Sequence, residues 1–292
     1  MNPSTSLGTG PSTALGTRPA RTSAPFMNGA LRVFDLSLGE MLWSRRTIFM
    51  AIVVGAPVIL AIVMRVVQAF GIPPLRVNGA LVDPASMFGV LIWVPFLRFI
   101  VPVLGVFYGT SLIADEVEDK TITYLFTRPV RRSAVLVGKY IAYLACTTLV
   151  VLPSIMVVYF LIVPFAQVAA SFRALLADLG LLALGLAAYG AVFALVGVVI
   201  KRPLVASLIF AFGWEQVALV VPGYLRRFTV MYYLQGLVPH TRLSDSVVSL
   251  LEALITDPPS TIVSIASLLF AVVAALALAG RVIETREYVL DQ

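Results

Sequence analysis

Six apolar runs divide the chain, and each is close to the length of a helix that crosses a bilayer. A spanning helix needs roughly 20 predominantly apolar residues. Hydrophobic residues make up 60% of the 292 and charged residues only 12%, so a water-soluble fold could not bury the apolar surface. We therefore predict an all-α membrane protein with six transmembrane helices, at about residues 47–69, 87–113, 140–163, 179–200, 204–222 and 261–280.

The segment before the first apolar run has two parts. Residues 1–29 are rich in Ser, Thr, Gly, Pro and Ala, which predicts a disordered tail, and Met27 is a candidate start of translation. Residues 30–46 carry apolar side chains at helical spacing, with charged side chains on the other faces. This pattern predicts an N-terminal helix in the membrane interface, so that residues 30–292 form one membrane domain.

Lysines and arginines are distributed unequally between the two sides of the predicted bundle. With the N-terminus inside the cell, 14 of the 21 fall on the cytoplasmic side and 6 on the outer side, while Arg98 lies within a span. Cytoplasmic loops of membrane proteins carry the excess of positive charge. Both termini are therefore predicted to be cytoplasmic.

The residue types that metal sites and nucleophilic enzymes need are scarce. Cys146 is the one cysteine and His240 the one histidine, whereas a structural zinc requires four ligands of this kind. The sequence contains neither H-E-x-x-H nor G-x-S-x-G, which disfavours an intramembrane enzyme. The net charge of +6 fits loops beside anionic lipid better than nucleic-acid binding. We predict no catalytic residues and no metal.

A charged stretch, EVEDKTITYLFTRPVRRSAVLVGKY, runs from Glu116 to Tyr140 between the second and third apolar runs. Pro129 disfavours helical geometry at the residue before it. We predict a short cytoplasmic helix from Glu116 to Thr127, with Ser133 capping the next span. The alternative is that the charges only anchor two spans at the headgroups. One apolar face of the predicted helix has helical spacing: Ile113, Val117, Thr121 and Tyr124.

The order of residues in this region resembles the signature of ABC-2 type permeases. In that family an acidic residue and a threonine precede a leucine, then P-V-x-R, then G-K. Lys120 stands where a glycine is common before the threonine, which puts the local turn in doubt. The resemblance covers about residues 30 to 290, and the residues that carry it are Gly109, Glu116, Thr121, Leu125, Pro129, Val130, Arg132, Gly138 and Lys139.

The resemblance implies the membrane half of an ATP-driven bacterial exporter in the plasma membrane. In such permeases the loop between the second and third spans carries a coupling helix that docks onto a separate ATPase, and two permease copies, here a homodimer, enclose the substrate path. The positions that carry over are Glu116, Thr121, Pro129 and Arg132. No G-x-x-x-x-G-K-[ST] loop is present in the sequence. ATP is therefore expected on the partner, and this chain needs no cofactor.

Two further features concern the spans themselves. Gly105 and Gly109 form a G-x-x-x-G motif that could mark the dimer seam, although the motif is frequent by chance in apolar helices. Arg98 and Glu215 have similar calculated depths, so they are predicted either to pair or to line the transport path. The alternative is that Arg98 extends its side chain to the outer surface. Asp178 is predicted to lie at the interface.

The segment before the last apolar run is predicted to form either a gate or an aromatic belt. In the resembling family, short helices here dip into the outer leaflet, and Tyr224, Tyr232 and Tyr233 suit that depth. A second function also remains open, a membrane scaffold or mechanical transmitter that uses a partner ATPase without exporting a substrate. Amphipathic molecules or membrane lipids would suit the chain's surfaces, but the sequence does not name the cargo.

Overall fold

The computed structural model describes residues 26–70, 76–77, 80–81, 84–118, 132–220, 224–238 and 259–285, and within these ranges the chain is almost entirely helical. Strands β1 (Arg76–Val77) and β2 (Ala80–Leu81) form a short antiparallel pair. The α-helices are α1 (Phe26–Leu42), α2 (Arg45–Ala69), α3 (Pro84–Leu91), α4 (Val101–Leu104), α5 (Ser111–Glu118), α6 (Arg132–Ile162), α7 (Phe165–Val199), α8 (Pro203–Leu208), α9 (Glu215–Val220), α10 (Val230–Gln235) and α11 (Thr261–Thr285).

Among the residues that the structure describes, five helical segments are long and apolar enough to cross a membrane. They are Thr47–Ala69, Met87–Asp115, Arg132–Ile162, Phe165–Val199 and Thr261–Thr285. The run predicted at about 204–222 forms an apolar helix, Pro203–Ala218, that is shorter than the 18 residues of a full span. The all-helical membrane fold is thus confirmed, with five spans of full length.

The third and fourth spans begin earlier than their apolar runs. Helix α6 starts at Arg132 rather than near residue 140, and α7 starts at Phe165 rather than near 179. Helix α7 has 35 residues, which corresponds to roughly 52 Å and exceeds the roughly 30 Å of the hydrocarbon core. Hydropathy detects only the part of a helix that suits lipid, so the polar extensions were missed.

Helix α1 packs across the start of α6. It begins at Phe26, so residues 26–29 are helical. The rest of the predicted tail, residues 1–25, lies outside the described residues. At the crossing, a Cβ on Gly138 would lie 2.5 Å from the carbonyl oxygen of Ala30 and 2.9 Å from Cβ of Val33. Gly138 therefore permits the close approach of the two helices.

The second span alternates between α-helical and π-helical turns. Helix α3 continues into a π-helical segment, Ile92–Ile100, which contains Pro95; α4 then leads to a second π-helical segment, Gly105–Gly109, before α5. Proline lacks the N–H of the regular ladder and crowds the preceding turn. A third π-helical segment, Ile209–Trp214, joins α8 to α9. Such segments are frequent at functional sites.

Helix α7 lies at the centre of the bundle and contacts α6, α11 and the second span. Its small residues accept neighbouring side chains and backbone. The Tyr143 hydroxyl donates to the Leu186 carbonyl at 2.9 Å, and the Tyr143 ring fills the space above Gly190. Near the end of α7, a Cβ on Gly197 would lie 2.4 Å from the backbone oxygen of Thr110. The core therefore depends on contacts that no larger residue would allow.

Gly197→Ala should destabilise the chain by about 1–3 kcal/mol, because the added methyl would overlap a backbone oxygen that cannot rotate away. Gly180→Ala is the matched control in the same helix, since a Cβ there has nothing within 4 Å, and it should stabilise by up to about 1 kcal/mol. The free energy of unfolding in detergent micelles measures both. Equal stability of the two variants would contradict the packing described here.

Candidate functional site

A cluster of polar side chains lies inside the bundle where the second span, α7, α9 and α10 meet. Arg98 comes from the first π-helical segment, and Glu215 and Gln216 directly follow the third. Tyr189 comes from the middle of α7. Each of these residues interrupts an apolar stretch, and polar groups at membrane depth are costly unless they find partners.

The Glu215 carboxylate is 1% exposed and accepts hydrogen bonds at both oxygens. Its Oε1 accepts from the backbone N–H of Val230 at 2.9 Å, and its Oε2 accepts from the Tyr189 hydroxyl. Val230 is the first residue of α10, whose initial N–H groups have no partner within the helix. Glu215 thus joins α7 to the start of α10, and its negative charge suits a helix N-terminus.

Thr229 completes the start of α10. Its Oγ1 accepts from the N–H of Tyr232 at 3.3 Å, as an N-cap residue does, and its hydroxyl donates to the carbonyl of Arg226 at 2.7 Å. The preceding 3₁₀ turn, Tyr224–Phe228, is therefore fixed to α10 by a buried threonine. The short helices expected before the last span are present, as 3₁₀ and α turns.

Arg98 bonds to Gln216, the residue that follows Glu215 in the chain. Its Nε donates to Oε1 of Gln216 at 3.2 Å, and its Nη2 donates to the same oxygen. Within the described ranges no ion pair joins Arg98 to Glu215, and the role of the two residues in a transport path stays a prediction. On a helix, successive residues point in directions roughly 100° apart, so Gln216 faces the second span while Glu215 faces α7 and α10.

Gly105 and Gly109 lie inside the protomer, against α7. A Cβ on Gly105 would lie 2.7 Å from Cβ of Tyr189, and one on Gly109 would lie 3.0 Å from the carbonyl oxygen of Gly190. Both glycines are buried. In this chain α7 occupies the groove that they create, and their role at a dimer seam stays a prediction. Their motif packs two helices of one chain.

The residues predicted for coupling are described only in part. Helix α5 carries the Glu116 backbone and ends at Glu118; Thr121, Pro129 and most of the predicted coupling helix lie outside the described residues. Arg132 begins α6, and its Nη1 donates to the carbonyl of Ile283 at 3.5 Å. Lys139, also part of the signature, is buried in α6 beside the α1 crossing.

The start of α6 and the end of α11 are joined by complementary contacts. Arg132 reaches a terminal carbonyl of α11, where the helix dipole is negative, while the Ser133 hydroxyl donates to Oε1 of Glu284 at 2.7 Å. Glu284 in turn places a negative charge at the N-terminus of α6, where the dipole is positive. The two helix ends therefore compensate each other, and Ser133, which lies within α6 rather than at its N-cap, bonds to the last span.

Comparison with known families decides what kind of protein this architecture belongs to. The profile of the ABC-2 family transporter proteins matches residues 40–287, which includes the whole polar cluster and the junction of α6 with α11. The chain belongs to the ABC-2 family. It is therefore a membrane transport subunit of the ABC transporter class, and subunits of this family are not themselves catalytic. A search of curated proteins returned no match.

The sequence analysis of this ABC-2 chain did not identify two members of the polar cluster, Tyr189 and Gln216. Tyr189 stands between Ala188 and Gly190 in an aliphatic helix, and a buried tyrosine hydroxyl usually needs a partner. Gln216 is next to Glu215 and is equally polar. Either residue could have been found by asking what satisfies an intramembrane carboxylate. Asp178, predicted to lie at the interface, is fully buried within the chain.

Tyr189→Phe should lower the free energy of unfolding by about 1–3 kcal/mol, because it leaves one oxygen of a buried carboxylate without its donor. Tyr224→Phe is the control, since that side chain is 75% exposed, and it should change little. Chemical unfolding in detergent micelles measures the difference. If the two variants are equally stable, the hydroxyl of Tyr189 does not support Glu215.

Proposed function

We propose that this ABC-2 chain is the permease subunit of an ATP-driven exporter, in which motion of a separate ATPase enters through the segment between α5 and α6. The observation that carries the proposal is the set of contacts at the start of α6. This helix end packs on α1 at Gly138 and bonds to the end of α11 through Arg132 and Ser133. A displacement of the segment would therefore act on three helices together.

Charge at the end of α5 supports a basic partner. Glu116 and Glu118 fall in the last turn of this helix, which contains no basic residue. Negative charges near a helix C-terminus are unfavourable, because the dipole is negative there. They also gain nothing from anionic headgroups. A positively charged groove on an ATPase would compensate them, and Glu116, Thr121, Pro129 and Arg132 are the residues proposed for this contact.

The proposed exporter has six spans, with Pro203–Ala218 as the fifth in chain order. This helix follows α7 after a short turn and runs back beside it, because Glu215 near its end bonds to Tyr189 in the middle of α7. Glu215 lies about 12 residues, or roughly 18 Å, along the helix from Pro203. The short helices before α11 would complete the crossing. An even number of spans leaves both termini on one side, which the charge distribution assigns to the cytoplasm of a bacterial cell.

Replacement of Glu116 by Lys should abolish co-purification with the partner ATPase or uncouple its hydrolysis, because it reverses a charge at the proposed contact. Glu40→Lys makes the same change on α1, where the side chain is exposed, and should leave binding and turnover unaltered. Both variants are compared with the unmodified chain at matched expression and low salt. Unchanged association and turnover in Glu116→Lys would remove the docking role and leave headgroup anchoring as the role of the charges.

Cysteine labelling tests the orientation. Ser260→Cys lies just before α11 and Lys201→Cys lies between α7 and α8, and both positions are exposed. An impermeant maleimide added to intact cells should modify the first and not the second. The native Cys146 is buried and contributes little background. Labelling at position 201 from outside would overturn the proposed topology.

A membrane scaffold or mechanical transmitter remains the second candidate. The closed hydrogen bonding of Glu215, with both oxygens used within the chain, suits a rigid transmitting element as well as the wall of a path. In this case too the ATPase would bind near Glu116. Export predicts a second copy of the chain and an ATPase rate that rises when amphipathic compounds are added to the reconstituted complex, whereas a transmitter predicts no such rise.

A further inference from the structure

An open groove lies on the surface between α7, α10, α11 and the third π-helical segment. Its volume is about 580 Å³, which is within the roughly 300–1,000 Å³ of small-molecule sites. The lining includes Arg227, Phe228, Thr229, Ala266, Phe270 and Ala271. Most of these side chains are apolar, and a single cation, Arg227, is among them.

Exposed aromatic side chains line the opening of the groove. Phe228 and Phe270 contribute to its lining and are 73% and 74% exposed, an exposure that suits hydrocarbon rather than water. Ala266 and Ala271 lie about 5 and 10 residues after the start of α11, or roughly 8 and 15 Å along the helix. This is the depth of acyl chains within one leaflet. Because a gap at that depth loses packing contacts on every side, an alkyl chain fills it favourably.

Arg227 supplies a positive charge at the groove. Its guanidinium lies 4.8 Å from the centre of the Tyr224 ring, and among the residues that the structure describes no carboxylate is within ion-pair distance of it. The side chain is exposed and can extend towards the headgroups. A guanidinium binds phosphate oxygens in a bidentate manner, with greater strength than a neutral donor.

We propose that this groove binds an anionic phospholipid, with one acyl chain along α11 and the phosphate at Arg227. The lipid would bridge α11 and the Tyr224–Phe228 turn, which Thr229 fixes to α10. Its occupancy would therefore hold the short helices against the last span. Binding requires neither an ATPase nor a transported substrate, so the site stands independently of the export proposal.

The charge is tested with the full-length chain in nanodiscs that contain equal amounts of phosphatidylglycerol and phosphatidylcholine. Bound lipid is identified by native mass spectrometry after mild release. Arg227→Gln should weaken phosphatidylglycerol binding about tenfold, the effect of losing one charge-assisted contact. Arg226→Gln is the matched control, because Arg226 stacks over Tyr232 at 5.5 Å and does not line the groove. Equal retention of phosphatidylglycerol by the two variants would overturn the proposal.

The proposed binding of an acyl chain is tested by filling the groove with a larger side chain. Ala271→Phe places a ring in it, whereas Ala277→Phe adds the same ring at an exposed position of α11 that does not line it. The first variant should lose bound phosphatidylglycerol and the second should keep it. If Ala271→Phe instead lowers the dimer fraction and retains the lipid, a second copy occupies the groove and the proposal is wrong. If Ala271→Phe does not fold, the comparison of Arg227→Gln with Arg226→Gln decides alone.

Discussion

The hydrogen bonds of Glu215 fix the relative positions of several helices in this bundle. Within hydrocarbon no water can satisfy a carboxylate, so the chain must supply the donors itself. The two donors come from distant elements, the Tyr189 hydroxyl of α7 and the first N–H of α10. One side chain therefore fixes the hairpin of α7 with the following helix and also the position of the short helices before the last span.

Small residues provide the second condition for this packing. Gly105 lies against Tyr189 and Gly138 lies against α1, each at a distance that a side chain would not permit. Helices in a membrane gain little from the hydrophobic effect, so close backbone approach and buried hydrogen bonds must supply the stability. The glycine at position 138 belongs to the signature that the ABC-2 resemblance rests on. Its physical role here is to seat the N-terminal helix on α6.

Together these features divide the chain into a rigid centre and two connected ends. At one end, Arg132 and Ser133 join α6 to the last helix; at the other, Thr229 and Glu215 hold the short helices to α7. The same helices, α6, α7 and α11, run between these ends. The two ends of this ABC-2 chain are therefore connected through continuous, mutually packed helices.

Local chemistry was sufficient to predict much of this protein. Spans of full length follow from runs of apolar residues, since lipid selects for helices with satisfied backbones, and the family resemblance followed from the order of residues between the second and third spans. Residue spacing could not show which side chains meet across helices. Arg98 bonds to Gln216, the neighbour of Glu215, and Gly109 packs against Gly190 of α7. The rotation of each helix about its axis determines which side chains meet, and that rotation depends on the packing of all the helices at once.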